Sequence, residues 1–116
     1  MPAYEYPYID LFFAVGDYKE KIHAYIDTGF EGYIVLPEYY IERIGEPAFF
    51  TDWEVADGAL VVAAEYIGNI TIPEIGFATM VRITCLGNEC LIGRAIIDHL
   101  RLTLDRGQKV IIDALM

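Results

Sequence analysis

From Lys21 to Ile26 polar and apolar positions alternate with a period near two, the spacing of a half-buried strand, and the run from Tyr8 to Val15 before it is apolar except at Asp10. "YIDLFFAVG" is rich in β-formers and ends in the turn "VGDYK". In "KIHAYID", Ile22, Ala24 and Ile26 alternate with Lys21, His23 and Tyr25, so the two segments predict a hairpin. "YIVLP" predicts a short buried strand. Pro37 suits a first helical turn, and "PEYYIERIG" has helical spacing that ends at Gly45. "FFTDWEVADGALVVAAEYIG" predicts two strands around Asp57-Gly58, a dipeptide favoured in hairpin turns. "NITIPEIGFATMVRITCL" predicts further strands broken near Pro73-Glu74, and "GNE" at 87–89 another turn. "CLIGRAIIDHL" starts as a strand, turns at Gly93 and predicts a short helix from Ala95 to Leu100. "RLTLD", "RGQK" and "VIIDAL" predict a closing hairpin.

About eight short strands with one or two short helices make an all-β, barrel-like class. Two segments, "IDTGFEGYIVLPEYY" and "LIGRAIIDHL", share one layout of apolar strand, glycine turn and short helix. No linker or low-complexity segment interrupts the 116 residues, so residues 1–116 are expected to form a single domain. At 55% hydrophobic the chain can bury a core, yet a domain this small leaves much surface exposed, which dimerisation would hide.

The charge excludes several partners. With 18 acidic and 8 basic residues the net charge is −10, which opposes nucleic acid and anionic membrane surfaces and favours steering of basic or neutral peptides. No apolar run reaches the roughly 18 residues of a membrane helix. "MPAYEYPYID" has neither a basic n-region nor an apolar h-region, so no signal peptide and a cytoplasmic chain are expected. Cys85 and Cys90 are too few for a metal site, with His23 and His99 far off in sequence. They read as buried thiols or as a disulfide closing a short loop. His23 and His99 read as surface or structural residues, Asp98 and Asp105 as helix-end or turn residues. The tyrosines clustered at 4–8 and 39–40 read as packing or interface residues, and Trp53 as core or groove packing.

Chemistry concentrates in "AYIDTGFEGYIVLP". Asp27 breaks two apolar strands; among apolar side chains an ionised carboxylate is costly unless hydrogen-bonded or paired, so either this is a strand-end turn that faces water or the position is kept for chemistry. "YIDTGF", followed some 60 residues later by "LIGRAII" with "VADGALVV" between, resembles the retropepsin-like (clan AA) aspartic proteases. The loop "DTGF" is similar to that of a small prokaryotic group within them. The resemblance spans residues 8–113 and implies a closed-barrel acid-protease half that hydrolyses peptide bonds without metal or organic cofactor. It implies a homodimer, since one Asp-Thr-Gly supplies half of a carboxylate dyad. It assigns Asp27, Thr28 and Gly29 to the catalytic loop, Thr28 bonding across to the other subunit and Gly29 allowing close approach and a tight turn. Ala56, Asp57 and Gly58 become the tip of a flap over an extended peptide substrate. Arg94 and Glu31 become a bracing ion pair behind the loop.

Two residues depart from the family pattern. Phe30 replaces a small residue, to fill part of the groove or pack beneath it. Ala95 replaces the Asp or Asn that usually follows Gly-Arg, losing one bracing hydrogen bond. Both favour the alternative of a catalytically inactive binding or dimerisation module on the same fold. A toxin- or antitoxin-like partner protein rests on size and charge alone. The apolar "VIIDALM" is expected to be covered by pairing of N- and C-terminal strands between subunits, because a free apolar edge invites aggregation.

Overall fold

The computed structural model describes residues 3–114. In chain order it contains β1 (Ala3–Glu5), β2 (Tyr8–Val15), β3 (Tyr18–Ile26), β4 (Ile34–Leu36), α1 (Tyr40–Ile44), β5 (Phe49–Glu54) and β6 (Leu60–Ile72). A 3₁₀ turn at Pro73–Ile75 leads to β7 (Phe77–Cys85), β8 (Leu91–Ile92), α2 (Arg94–Ile97), β9 (Leu100–Asp105) and β10 (Lys109–Ala114). The β2–β3 hairpin forms where the alternation predicts it. Its register sets Ile9 opposite Ala24 and Leu11 opposite Ile22, so all four face one buried side. Each large apolar side chain removed from water there contributes about 1.5–3 kcal/mol.

Hydrogen-bonded neighbours run β2-β3-β8-β4-β7-β6, and β6 pairs back onto β2, closing a six-stranded barrel. β5 extends β6 outside this ring as the arm of a long hairpin. Closure brings β2 tightly over β6 at Gly68, where an added Cβ would run into the Ala14 carbonyl oxygen and press on Ile83 and Val15. The core fills the ring with Phe13, Ile34, Leu36, Tyr66, Ile70, Ile83, Ile92 and their neighbours, all essentially inaccessible. Tyr66 also donates from its hydroxyl to the Gly45 carbonyl at 2.6 Å, pinning the end of α1 to β6.

One crossing positions everything that follows. β8 inserts between β3 and β4, parallel to β3 (Ile26 opposite Ile92) and antiparallel to β4 (Ile34 opposite Ile92). β3 and β4 therefore cannot pair with each other, and residues 27–33 must arch across the end of β8.

Several local expectations change. Ten strands are present among the described residues, because Ala3–Glu5 also pairs and β4 and β8 are short inserts. β6 runs unbroken through Gly68, since β7 supplies Val81 opposite it and β2 takes up the other edge from Asn69 onward. α1 begins at Tyr40 rather than Pro37, whose carbonyl instead closes a turn with the Tyr40 N–H. α2 spans only Arg94–Ile97, because Leu100 is taken into β9 opposite Ala114.

β10 lies between β1 and β9 in a sheet of order β1-β10-β9 within the chain. β1 pairs with Lys109, Val110 and Ile111, whereas β9 pairs along all of β10, Lys109–Ala114. Leu115, the end of the expected closing strand, and Met116 of the apolar "VIIDALM" lie outside the described residues.

The cysteines are free thiols, Cys85 buried and Cys90 half-buried. Burial, with Glu65 and Glu38 adding repulsion, pushes Cys85 up to about 12, and burial with Glu20 nearby pushes Cys90 up to about 11. Raised folded-state values favour the native thiol fully below the ordinary value near 9 and lose that contribution as pH climbs from there through about 11.

Two predictions follow from the packing. Gly68→Ala is expected to cost about 1–3 kcal/mol by overpacking the barrel closure, read as a lower urea midpoint with unchanged slope. A thiol-reactive dye at pH 8 is expected to leave Cys85 unlabelled in the native protein and to label both cysteines in urea.

Candidate active site

Asp27 opens the arch that β8 imposes. Its N–H donates to the Ile92 carbonyl at 3.0 Å, continuing the β3–β8 ladder by one residue. Its own carbonyl accepts from the Phe30 N–H at 3.2 Å, closing a tight turn. Its carboxylate Oδ1 accepts the Gly29 N–H at 3.0 Å, which orients the side chain, and Oδ2 makes no hydrogen bond among the described residues.

The far side of the arch is strapped to the start of α2. The N–H groups of Gly93, Arg94 and Ala95 donate to the carbonyls of Tyr33, Phe30 and Gly32 at 2.8, 2.8 and 3.1 Å. The two segments of shared layout thus interlock through their glycine turns. Gly93 is demanded by this closeness, since a Cβ there would strike the Gly32 carbonyl and the Phe30 ring. Gly32 is demanded by the same ring. Gly29 is not: its backbone is not left-handed, and a Cβ would meet Asp27 Oδ1 at 3.4 Å, an ordinary contact.

Asp27 is not enclosed by apolar side chains in the single chain. It is half-buried, and Thr28 and Gly29 are exposed. The reason is geometric: the arch projects beyond the barrel end instead of entering the core. Thr28 makes no side-chain hydrogen bond among the described residues. An apolar groove of about 380 Å³ runs beside it, walled by Tyr25, Ile26, Leu102 and Leu104.

Behind the arch, Arg94 Nη2 donates to Glu31 Oε1 at 2.9 Å through this one contact. The side chains are 45% and 84% exposed, so water screens the pair and it adds under about 1 kcal/mol. The backbone straps, not this ion pair, carry the loop's rigidity. Ala95 contributes its N–H to those straps.

Across the cleft stands the β5–β6 hairpin. Its tip, Ala56-Asp57-Gly58, is exposed. Gly58 turns with φ 84° and donates to the Val55 carbonyl at 2.8 Å, while Asp57 Oδ1 accepts the Ala59 N–H at 2.9 Å. These bonds make a defined turn whose remaining backbone groups face outward. Trp53, on β5, packs against Phe30 with ring centroids 5.7 Å apart. Asp27, Phe30 and Trp53 line an open cavity of about 270 Å³ together with Val35, Leu86 and Leu91.

The other flagged residues stand apart. His23 Nδ1 lies 2.6 Å from Asp10 Oδ1 across the hairpin and stacks on Tyr8. His99 packs beside Phe77, and Asp98 caps α2. The tyrosines divide: Tyr40 is buried and donates to Glu20, whereas Tyr6 and Tyr39 are exposed. Among the described residues no three His, Cys, Asp or Glu side chains gather as metal ligands. No helix among them is long and apolar enough to cross a membrane. Glu65, unremarked in the sequence, proves to be fully buried beside the cleft. Its signal was a lone acid within "LVVAAEYIG", where a charge demands donors.

No protein-family model matches the chain, and no curated protein matches it. Solved structures do. The retropepsin-like aspartic protease from Rickettsia conorii is similar over 92% of this chain and 82% of its own, at 21% identity and a TM-score of 0.62. EIAV protease, complexed with the inhibitor HBY-793, is similar over 79% of this chain and 85% of its own, at 17% identity and a TM-score of 0.55. The chain has the retropepsin-like fold.

The straps and the ion pair are expected to separate in measurement. Gly93→Ala should lower stability by about 1–3 kcal/mol through overpacking, whereas Glu31→Gln should change it by less than about 1 kcal/mol. Paired urea titrations check both.

Proposed function

We propose that this chain is an aspartic endopeptidase, working as a homodimer in which Asp27 of each subunit flanks one water. The observation that carries this reading is the placement of Asp27: half-buried, anchored through one carboxylate oxygen, and facing the cavity it shares with the hairpin residue Trp53. The retropepsin-like fold supports it.

One chain brings one carboxylate, and two related by a twofold axis bring a pair. Held about 3 Å apart, two carboxylates cannot both ionise, so they share a proton and titrate as a unit. The ionised member takes a proton from water as its oxygen bonds to the scissile carbonyl carbon. The protonated member donates to the carbonyl oxygen. Collapse then breaks the C–N bond with a proton delivered to the leaving nitrogen. Thr28 reaches the partner's loop with its exposed hydroxyl. Gly29 holds Asp27 Oδ1 with its N–H. The backbone straps from Gly93, Arg94 and Ala95 brace the loop from behind, with the Arg94–Glu31 pair as a solvent-screened supplement. Ala56, Asp57 and Gly58 close over an extended peptide and add strand-like hydrogen bonds. The groove beside Thr28 supports the dimer, being apolar and adjacent to the loop that the second copy must meet. The free thiols fit a reducing, cytoplasmic setting. No step calls for a metal or organic cofactor.

One observation favours a second reading, a non-catalytic dimerisation module. In the single chain Asp27 is half-exposed and so carries little burial cost to be justified by chemistry. The two readings part on activity. Wild-type protein is expected to have dimer mass, cleave a peptide library between acidic and neutral pH, and bind a pepstatin-type inhibitor. Asp27→Asn should keep the dimer and lose at least about 10²–10⁴-fold in cleavage. A dimer that neither cuts nor binds the inhibitor would put the module first, and a strict monomer would remove the protease reading.

A further inference from the structure

Among the described residues, Glu65 is the one charged side chain that the fold buries completely, and it enters no ion pair. Its carboxylate is met instead by neutral donors from two other strands. Thr84 Oγ1 on β7 donates to Oε1 at 2.8 Å. Thr51 Oγ1 on β5 donates to Oε2 at 2.7 Å, and Trp53 Nε1 divides between that same oxygen at 3.2 Å and Thr51 Oγ1 at 2.9 Å. Register explains the meeting: Thr51 and Trp53 project from the same face of the sheet as Glu65, and Thr84 lies directly opposite it. An apolar side chain would fill this space without the cost of desolvating a carboxylate. The acid is distinguished by what it holds.

It holds Trp53. The indole packs on Phe30, and these two rings form the wall between two cavities. One is the cavity of about 270 Å³ that contains Asp27; the other, about 180 Å³, lies behind the wall against Gly32 and Thr84. Phe30 is seated, its ring filling the space where Cβ atoms at Gly32 and Gly93 would stand. The other half of the wall is Trp53, on the hairpin arm outside the barrel ring. Among the described residues, the only polar tethers of its indole are the bonds to Glu65 and Thr51.

We propose that Glu65 is a positioning residue that fixes Trp53 against Phe30, and that this wall sets the largest substrate side chain accepted beside Asp27. This rests on the aspartic endopeptidase reading. With the wall in place, the pocket suits an aliphatic or single-ring side chain. With Trp53 released, the two cavities join and a bicyclic side chain fits.

Trp53 is the chain's single tryptophan, so its emission reports on the wall without any substrate. The experiment compares wild type with Glu65→Leu, which removes both acceptors, and with Glu65→Gln, which keeps one and preserves the fold if the leucine variant does not. In the ligand-free proteins, the substitution is expected to shift Trp53 emission to longer wavelength and to raise its quenching by acrylamide. Two peptides differing only by leucine or tryptophan at the residue flanking the scissile bond are then compared by kcat/KM. The leucine-over-tryptophan preference is expected to fall about tenfold, within the range a shaped apolar pocket commands. Trp53→Phe, which keeps a ring but loses the N–H, should lower the same ratio, and combining it with the Glu65 substitution should add nothing further. Unchanged emission and quenching in a folded variant would overturn the anchoring role. Changed emission with an unchanged ratio would overturn the selectivity role. If wild type cleaves neither peptide, nor any of the library above, the endopeptidase reading fails, and emission alone still decides whether Glu65 anchors Trp53.

Discussion

The insertion of β8 between β3 and β4 is the constraint on which the rest of the structure depends. Two residues, Leu91 and Ile92, occupy the ladder positions that β3 and β4 would otherwise use with each other. The chain between those strands must then leave the sheet, cross the end of β8 and return. Asp27 stands at the point of departure, and the straps from Gly93, Arg94 and Ala95 hold the return. A loop tied by backbone hydrogen bonds at both ends loses little further entropy when a ligand or a second chain arrives. Preorganisation here is a consequence of sheet topology, with the Arg94–Glu31 pair as a solvent-screened supplement.

Two acids near the cleft meet opposite environments, and the difference is instructive. Glu65 points between strands and is wholly desolvated, so the fold surrounds it with hydroxyl and indole donors. Asp27 points off the barrel end, keeps contact with water, and uses a single backbone donor. The first is satisfied within the chain and acts on its neighbours' positions. The second has an oxygen without a hydrogen bond among the described residues, the condition a carboxylate needs before it can take part in chemistry. Phe30 joins them, because its ring touches Trp53 on one side and backs onto the Gly32–Gly93 straps on the other.

Much of this was legible in the amino-acid sequence wherever the determining interaction was local. The β-forming run "YIDLFFAVG" and the alternation in "KIHAYID" specify a hairpin because strand propensity and periodicity are properties of neighbouring residues. Asp57-Gly58 marks a turn because glycine accepts the φ of 84° found there. Asp27, Thr28 and Gly29 were visible as polar residues interrupting apolar strands, and the turn at Gly93 as a break in an apolar run. The likeness between the Asp27 and Gly93 segments was visible too, though not that the two would interlock.

What the sequence by itself determined, then, is most of the longer strands, the turns between them and the position of the carboxylate at a strand end. Tertiary structure alone decided that β10 lies between β1 and β9, that β6 continues through Gly68, and that α2 stops at Ile97. It alone decided that Glu65 lies inside and Asp27 at the mouth. The physical reason is common to all of these. Each depends on which distant segment supplies the opposing hydrogen bonds or covers the second face of a strand, and residues far apart in sequence select that partner only when the barrel closes.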